Sequence, residues 1–129
     1  MGNLHISLIQ TDLYWEDKFR NLEMLEKKIA AVEAATQIVV LPEMFTTGFS
    51  MQPKLFAETM EGPTIEWMIE QASLHKIILT GSIIIEVHSF PTRRSSEIGR
   101  ASCRERVYFV FACICKQVPF IIIRHLSSR

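Results

Sequence analysis

Three cysteines in 129 residues, an odd number, give no basis for a disulfide framework and fit a reduced intracellular chain. Excess charge is missing too. The 14 basic side chains offset 14 acidic ones, so the chain as a whole has no field that would draw a polyanionic partner. Long apolar runs are absent: a stretch such as Tyr108 to Cys115 is far shorter than the roughly 20 residues that cross a bilayer, which excludes a membrane protein. The N-terminus lacks a basic patch followed by an apolar core and a small-residue cleavage site, so no secretory signal is read and the cytoplasm is the expected compartment. Neither internal repeats nor low-complexity tracts occur. What is present, 48% hydrophobic and 22% charged residues, is the composition of one globular domain.

The zero net charge conceals a seam. Residues 1–87 hold twelve acidic side chains against six basic ones, a net charge of −6, and residues 88–129 hold eight basic against two acidic, a net charge of +6. Every cysteine and every arginine except Arg20 lies in the second part, whereas five of the six lysines lie in the first. A composition shift this abrupt implies two sources of sequence.

The stretch 88–107, from His88 to Val107, can be tested with the genetic code. His88 as CAC has the reverse complement GTG, which encodes Val107. The same pairing runs inward to Ser96 as TCC and Gly99 as GGA, giving nine nested codon pairs. DNA of this form resembles a sequencing adapter joined to its own reverse complement. The stretch is therefore read as an adapter-like insert with no native fold, to be set aside like a fusion scar. Sequencing the coding DNA across codons 85–110 tests this, and an uninterrupted natural reading frame there would refute it. The competing reading is a phosphate-binding patch built from Arg93, Arg94, Arg100, Arg104 and Arg106. Against it stand the lack of interleaved aromatics after Phe90, irregular helical spacing and the acidity of the first part.

Residues 1–87 carry clear periodicities. Leu4, Ile6 and Leu8 alternate as in a strand buried on at least one face. Trp15, Phe19, Leu22, Leu25, Ile29 and Val32 recur at three and four residues and predict an amphipathic helix. Ile38 to Leu41, stopped by Pro42, reads as a strand inside a parallel sheet. Gly62-Pro63-Thr64 opens a second helix from Ile65 to His75, and Ile77 to Ile85 forms a third strand. Strand, helix, strand, helix, strand is an α/β class with a largely parallel sheet.

In such sheets functional groups collect beyond the carboxyl ends of the strands, where Glu43 falls by sequence. A carboxylate partly desolvated there has its pKa raised toward the working pH, as a general base requires. An isolated Glu after a strand is otherwise a loop or capping group.

The context around Glu43 decides between these. Leu41-Pro42-Glu43-Met44-Phe45-Thr46-Thr47-Gly48-Phe49-Ser50 resembles the first catalytic motif of the nitrilase, or carbon–nitrogen hydrolase, superfamily, and within it the omega-amidase branch. The agreement extends to Ile9-Gln10, the helix after Trp15 with Asn21, the stretch Glu58 to Thr64, Trp67-Met68 and Thr80-Gly81-Ser82, and so covers residues 3–87. The resemblance implies the N-terminal part of a four-layer α-β-β-α sandwich, incomplete in this chain. It also implies a Glu-Lys-Cys constellation in which the Glu is general base, the Lys stabilises the oxyanion and the Cys is nucleophile. On this reading Glu43 carries the base role, and Phe45, Thr47 and Phe49 help to line the substrate pocket. The implied substrates are small-molecule amides of 2-oxo dicarboxylic acids, such as 2-oxoglutaramate or 2-oxosuccinamate. Family members form homo-oligomers, commonly dimers.

The tail 108–129 departs from this pattern. Tyr108-Phe109-Val110-Phe111 resembles the next family strand. Lys116 to Phe120, followed by Arg124-His125-Leu126, resembles the stretch that holds the catalytic lysine, but the apposed residue is Ile123, and Ile121-Ile122-Ile123 reads as a local frame shift. The family's cysteine lies further downstream than this chain extends, so Cys103, Cys113 and Cys115 are not candidates by position. A zinc site from these cysteines and His125 is disfavoured by their spacing, and no metal or other cofactor is expected. His5 is expected on a strand face and His75 at a helix end. Trp15 and Trp67 are expected as core anchors, and Met24, Met44, Met51, Met60 and Met68 as packing. Two functional readings result: an amidase fragment, inactive as written, or a non-catalytic α/β interaction module whose basic tail binds a partner. In the first, apolar strand faces are left exposed and association-prone.

Overall fold

A computed structural model of the chain describes residues 2–59 and 61–85 in full and, by backbone alone, Glu86, Glu105–Cys115 and Val118–His125. Five strands form one sheet in the order β1-β2-β3-β4-β5. They are β1 (Ile6–Leu8), β2 (Ile38–Val40), β3 (Ile78–Glu86), β4 (Glu105–Cys115) and β5 (Val118–His125). The helices are α1 (Lys18–Ala30), a single turn α2 (Pro53–Phe56) and α3 (Pro63–His75). The first three strands pair in parallel, with Ile6, Ile38 and Ile78 on one row and Leu8, Val40 and Thr80 on another. Helical crossovers between β1, β2 and β3 are what make parallel pairing possible. Only two residues separate β4 from β5, too few for a crossover. The three strands of residues 1–87 thus pair in parallel as their helical connections predict, and β4 and β5 of the tail add to them antiparallel.

Each helix is fixed at its ends by local chemistry. The Asp17 carboxylate accepts the Arg20 N–H at 3.2 Å as the α1 cap, and Lys27 and Lys28 occupy the last turn, where cations oppose the helix dipole. Helix α3 starts differently. Its cap, Gly62, has no side chain to offer, and the acceptor comes instead from Glu58: Oε2 takes the Thr64 N–H at 3.0 Å and Oε1 the Thr64 hydroxyl at 2.8 Å. The same carboxylate is paired with Lys18 at the start of α1, so one anion serves two helix beginnings. Gly62 is required by this closeness, because a Cβ there would lie 2.9 Å from the Thr59 carbonyl oxygen and 3.0 Å from Glu58 Oε2. Glu58→Ala strips the acceptor from Thr64 and the partner from Lys18, and is expected to cost about 2–3 kcal/mol. The readout is a lower urea midpoint at unchanged m-value, with Glu58→Gln losing less.

The core lies between α1, α3 and one face of the sheet. Leu25 and Ile29 of α1, Ile65, Met68 and Ala72 of α3, and Val39, Leu79 and Ile83 of the strands form one buried cluster. The face of α1 turned to that cluster is set by Asn21, Leu25 and Ile29. Phe19 lies two residues, about 200° of helix, from Asn21 and is exposed, contrary to its expected place on the apolar stripe. Trp15 precedes α1 and is exposed as well, so of the two expected anchors only Trp67 packs against the core. Met51 is likewise exposed, whereas Met44 and Met68 are buried and Met24 is partly so; Met60 lies outside the described residues. His5 stands just before β1, and His75 ends α3. On the other side of the parallel strands, Leu4, Ile6 and Leu8 are exposed, contrary to the burial on one face that their alternation predicts, because β1 is a three-residue edge strand that none of the described helices covers on that side. No helix among the described residues is long and apolar enough to cross a membrane.

The seam in the sequence is only partly within reach of these observations. Residues 88–104 lie outside the described residues, and strand β4, which begins at Glu105, takes in the last three residues of the stretch read as an insert. The side chains of the basic tail, Cys103, Cys113, Cys115 and His125 among them, also lie outside the described residues, and with them the zinc and tail-binding readings.

Candidate functional site

Strand β2 ends at Val40, whereas β3 continues to Glu86, so the chain after β2 runs alongside the far half of β3 as a looped segment, residues 41–50. Its first contact prolongs the parallel ladder: the Leu41 N–H donates to the Thr80 carbonyl at 2.8 Å. Two residues after Pro42, the Met44 N–H donates to Ser82 Oγ at 2.7 Å. Between these two bonds stands Glu43. The segment then turns back on itself, with Met44 at φ 46° and its carbonyl accepting the Gly48 N–H at 2.8 Å. Gly48, at φ 68°, takes the left-handed backbone at no steric cost.

The far side of the loop is held by residues that precede or open α1. Asn21, fully buried, uses its whole amide: Nδ2 donates to the Tyr14 and Thr46 carbonyls, each at 2.7 Å, and Oδ1 accepts the Tyr14 N–H at 2.7 Å. The Glu16 N–H donates to the Thr47 carbonyl at 2.8 Å, and Ser50 Oγ donates to Glu16 Oε1 at 2.7 Å. The Trp15 indole N–H reaches the Phe49 carbonyl at 3.1 Å, which gives this exposed tryptophan a role at the loop rather than in the core. Phe45 plugs the loop into the core. Its ring stands 6.0 Å from that of Trp67, tilted by 34°, and lies over Gly81, where a Cβ would come within 2.7 Å of two ring carbons. Any side chain at 81 would therefore displace the ring.

Thr80, Gly81 and Ser82 thus hold the Glu43 loop in three successive ways: a carbonyl, an absent side chain and a hydroxyl. The family resemblance includes Asn21 and this tripeptide but assigns them no roles. Asn21 and Ser82 bear a readable signal, since a polar residue inside a buried stripe or strand must find a hydrogen-bond partner.

Glu43 itself is exposed, which differs from the partial desolvation expected for it. The reason is geometric: it sits beyond the last residue of β2, on the outer side of a loop whose other members carry the packing. The three residues expected to line a pocket separate. Phe45 is 0% and Thr47 1% exposed, with the Thr47 hydroxyl turned onto the Gly48 carbonyl at 2.9 Å, while Phe49 is 77% exposed. Of the three, Phe49 alone offers its ring to solvent. A loop held on both sides that presents an exposed carboxylate beyond a parallel strand is suited to proton transfer with a group brought to it.

Comparison with known proteins bears on what that loop is. The carbon–nitrogen hydrolase profile matches residues 5–103. The omega-amidase YafV of Escherichia coli K12 is 29% identical over 94 residues, 73% of this chain and 36% of that protein. The omega-amidase YafV of Yersinia enterocolitica is 31% identical over 85 residues, 66% of this chain and 32% of that protein. The chain therefore spans about a third of the length of these relatives. Among solved structures, a carbon–nitrogen hydrolase superfamily protein of Xanthomonas campestris, with an arsenic adduct in its active site, superposes with a TM-score of 0.73 at 26% identity. That superposition covers 98% of this chain and 43% of the other. Nit3 of Saccharomyces cerevisiae, from branch 10 of the nitrilase superfamily, shares the fold with a TM-score of 0.65 at 20% identity, over 84% of this chain and 39% of its own. The α/β architecture is that of the nitrilase superfamily, and with most of its length matched by the family profile, the chain belongs to the carbon–nitrogen hydrolases.

Proposed function

We propose that this chain is the N-terminal part of an omega-amidase that hydrolyses the terminal amide of 2-oxo dicarboxylic acid monoamides such as 2-oxoglutaramate, with Glu43 as general base. The observation that carries the reading is the fixed backbone on both sides of Glu43, between the bonds to Thr80 and Ser82, with the residue exposed. The reaction needs a thiol that loses its proton to Glu43 as its sulfur attacks the amide carbon. A lysine ammonium offsets the charge developing on the amide oxygen. Ammonia then leaves, taking the proton held by Glu43, and water, deprotonated by the same carboxylate, cleaves the thioester to the acid and restores the thiol. Phe49, with its exposed ring, is the pocket residue in this scheme, and Phe45 and Thr47 act by shaping the loop.

Position 123 supports the placement of the lysine. In the sheet register Gly81 pairs with Val110 and Val110 with Ile123, so position 123 stands on the row of Gly81, the residue over which the Phe45 ring of the Glu43 loop lies. Isoleucine there cannot donate to an oxyanion, and the nucleophilic cysteine is assigned to sequence downstream of residue 129. The chain as written is accordingly expected to be silent. The test is ammonia release from 2-oxoglutaramate by two proteins: this chain, and residues 1–87 continued by the restored downstream gene in place of residues 88–129, with its lysine and its cysteine. Turnover by the second alone is the expected result; silence in both overturns the assignment.

A further inference from the structure

We propose that Ser82 is a positioning residue for Glu43; the inference rests on the reading of Glu43 as the general base. The Met44 N–H that Ser82 Oγ accepts at 2.7 Å belongs to the peptide group that starts at the Glu43 Cα. That group is planar, so a bond to its N–H fixes the rotation of Glu43 about its own Cα–C bond. The preceding residue, Pro42, has its φ locked by its ring, and Leu41 is tied to Thr80 at 2.8 Å. Ser82 thus supplies the restraint that the proline does not.

The site is built for this single task. Ser82 is 0% and Met44 7% exposed, so the N–H finds no bulk water if the hydroxyl is removed. Met44 also takes a left-handed backbone at φ 46°, which an unbranched side chain adopts only when its surroundings hold it there. Released from Ser82, the peptide group can rotate toward the ordinary right-handed region, and the Glu43 carboxylate moves with it. A shift of about 1 Å at a catalytic group lowers turnover by about a hundredfold.

The experiment uses the continued enzyme defined above, with ammonia release as readout. Ser82→Ala is expected to lower kcat by about 10- to 100-fold with KM within about threefold of wild type. On a Glu43→Gln background the same change is expected to cost less than about twofold more, because the group it positions is already disabled. Ser82→Cys, which fills the space but accepts hydrogen bonds weakly, is expected to show the same kcat-selective loss at an unchanged unfolding midpoint. If Ser82→Ala and Ser82→Cys both keep kcat within twofold while Glu43→Gln abolishes it, Ser82 does not position the base and the base reading stands. Additive losses in the double variant overturn the proposal in the same way. Full turnover by Glu43→Gln removes the base reading itself, and the proposal with it.

Discussion

Glu43→Gln is expected to lower kcat of the continued enzyme by about 10³-fold, within the range of 10²–10⁴ that a positioned general base contributes. Glutamine has the size and planar shape of glutamate but cannot take a proton from a thiol at neutral pH. Because Glu43 is exposed and carries no packing role, the variant is expected to unfold within about 0.5 kcal/mol of wild type. KM is expected to change little, since the proton acceptor proposed here acts in the chemical step rather than in binding. Ammonia release at saturating 2-oxoglutaramate, together with a urea titration, separates these effects. Retained turnover would falsify the assignment of Glu43, and a large loss of stability would place the residue in the fold rather than in the chemistry.

The second large effect concerns Phe45 and falls on stability. Its ring is fully buried among Leu41, Trp67 and Gly81, and truncation to alanine is expected to cost about 3–5 kcal/mol through lost burial and the cavity left behind. Domains are stable by only about 5–15 kcal/mol, so Phe45→Ala is expected to unfold a large fraction of the chain at 37 °C. A pocket-lining phenylalanine would behave differently, raising KM in the continued enzyme while leaving the urea midpoint in place. Circular dichroism of the chain in urea decides between the two. A midpoint unchanged within 0.2 M of urea would return Phe45 to the pocket wall.

Much of this architecture was legible from periodicity alone. Helix α3 followed from Gly62-Pro63 and the stripe of Ile65, Met68 and Ala72, and β2 from a β-branched run cut off by Pro42. Helix α2, four residues long, is too short to show any period. The stripe on α1 misled for a specific reason: its most apolar side chains, Trp15 and Phe19, lie outside the buried face, while a polar residue, Asn21, occupies a core position. Hydrophobicity ranks side chains by transfer cost and does not register that a buried amide with all of its hydrogen bonds made can hold a loop. Glu43 was legible by its place after a strand and by the surrounding motif. Its exposure was not, because solvent access depends on which loop residues turn inward, and that is set by Ser82 and Gly81 from a strand almost forty residues away.

The sealed side of the sheet draws its buried side chains from a short window, Leu25 to Ile85, whereas Leu4, Ile6 and Leu8 on the opposite side remain in contact with water. In a longer gene product emerging from the ribosome, the first of these layers can close as soon as that window is out. The loop bearing the carboxylate is part of that early layer, anchored at both ends by residues already synthesised. On the function proposed above, the base is then in place before its nucleophile is translated, and the later part of the longer product assembles onto a template whose geometry is already set.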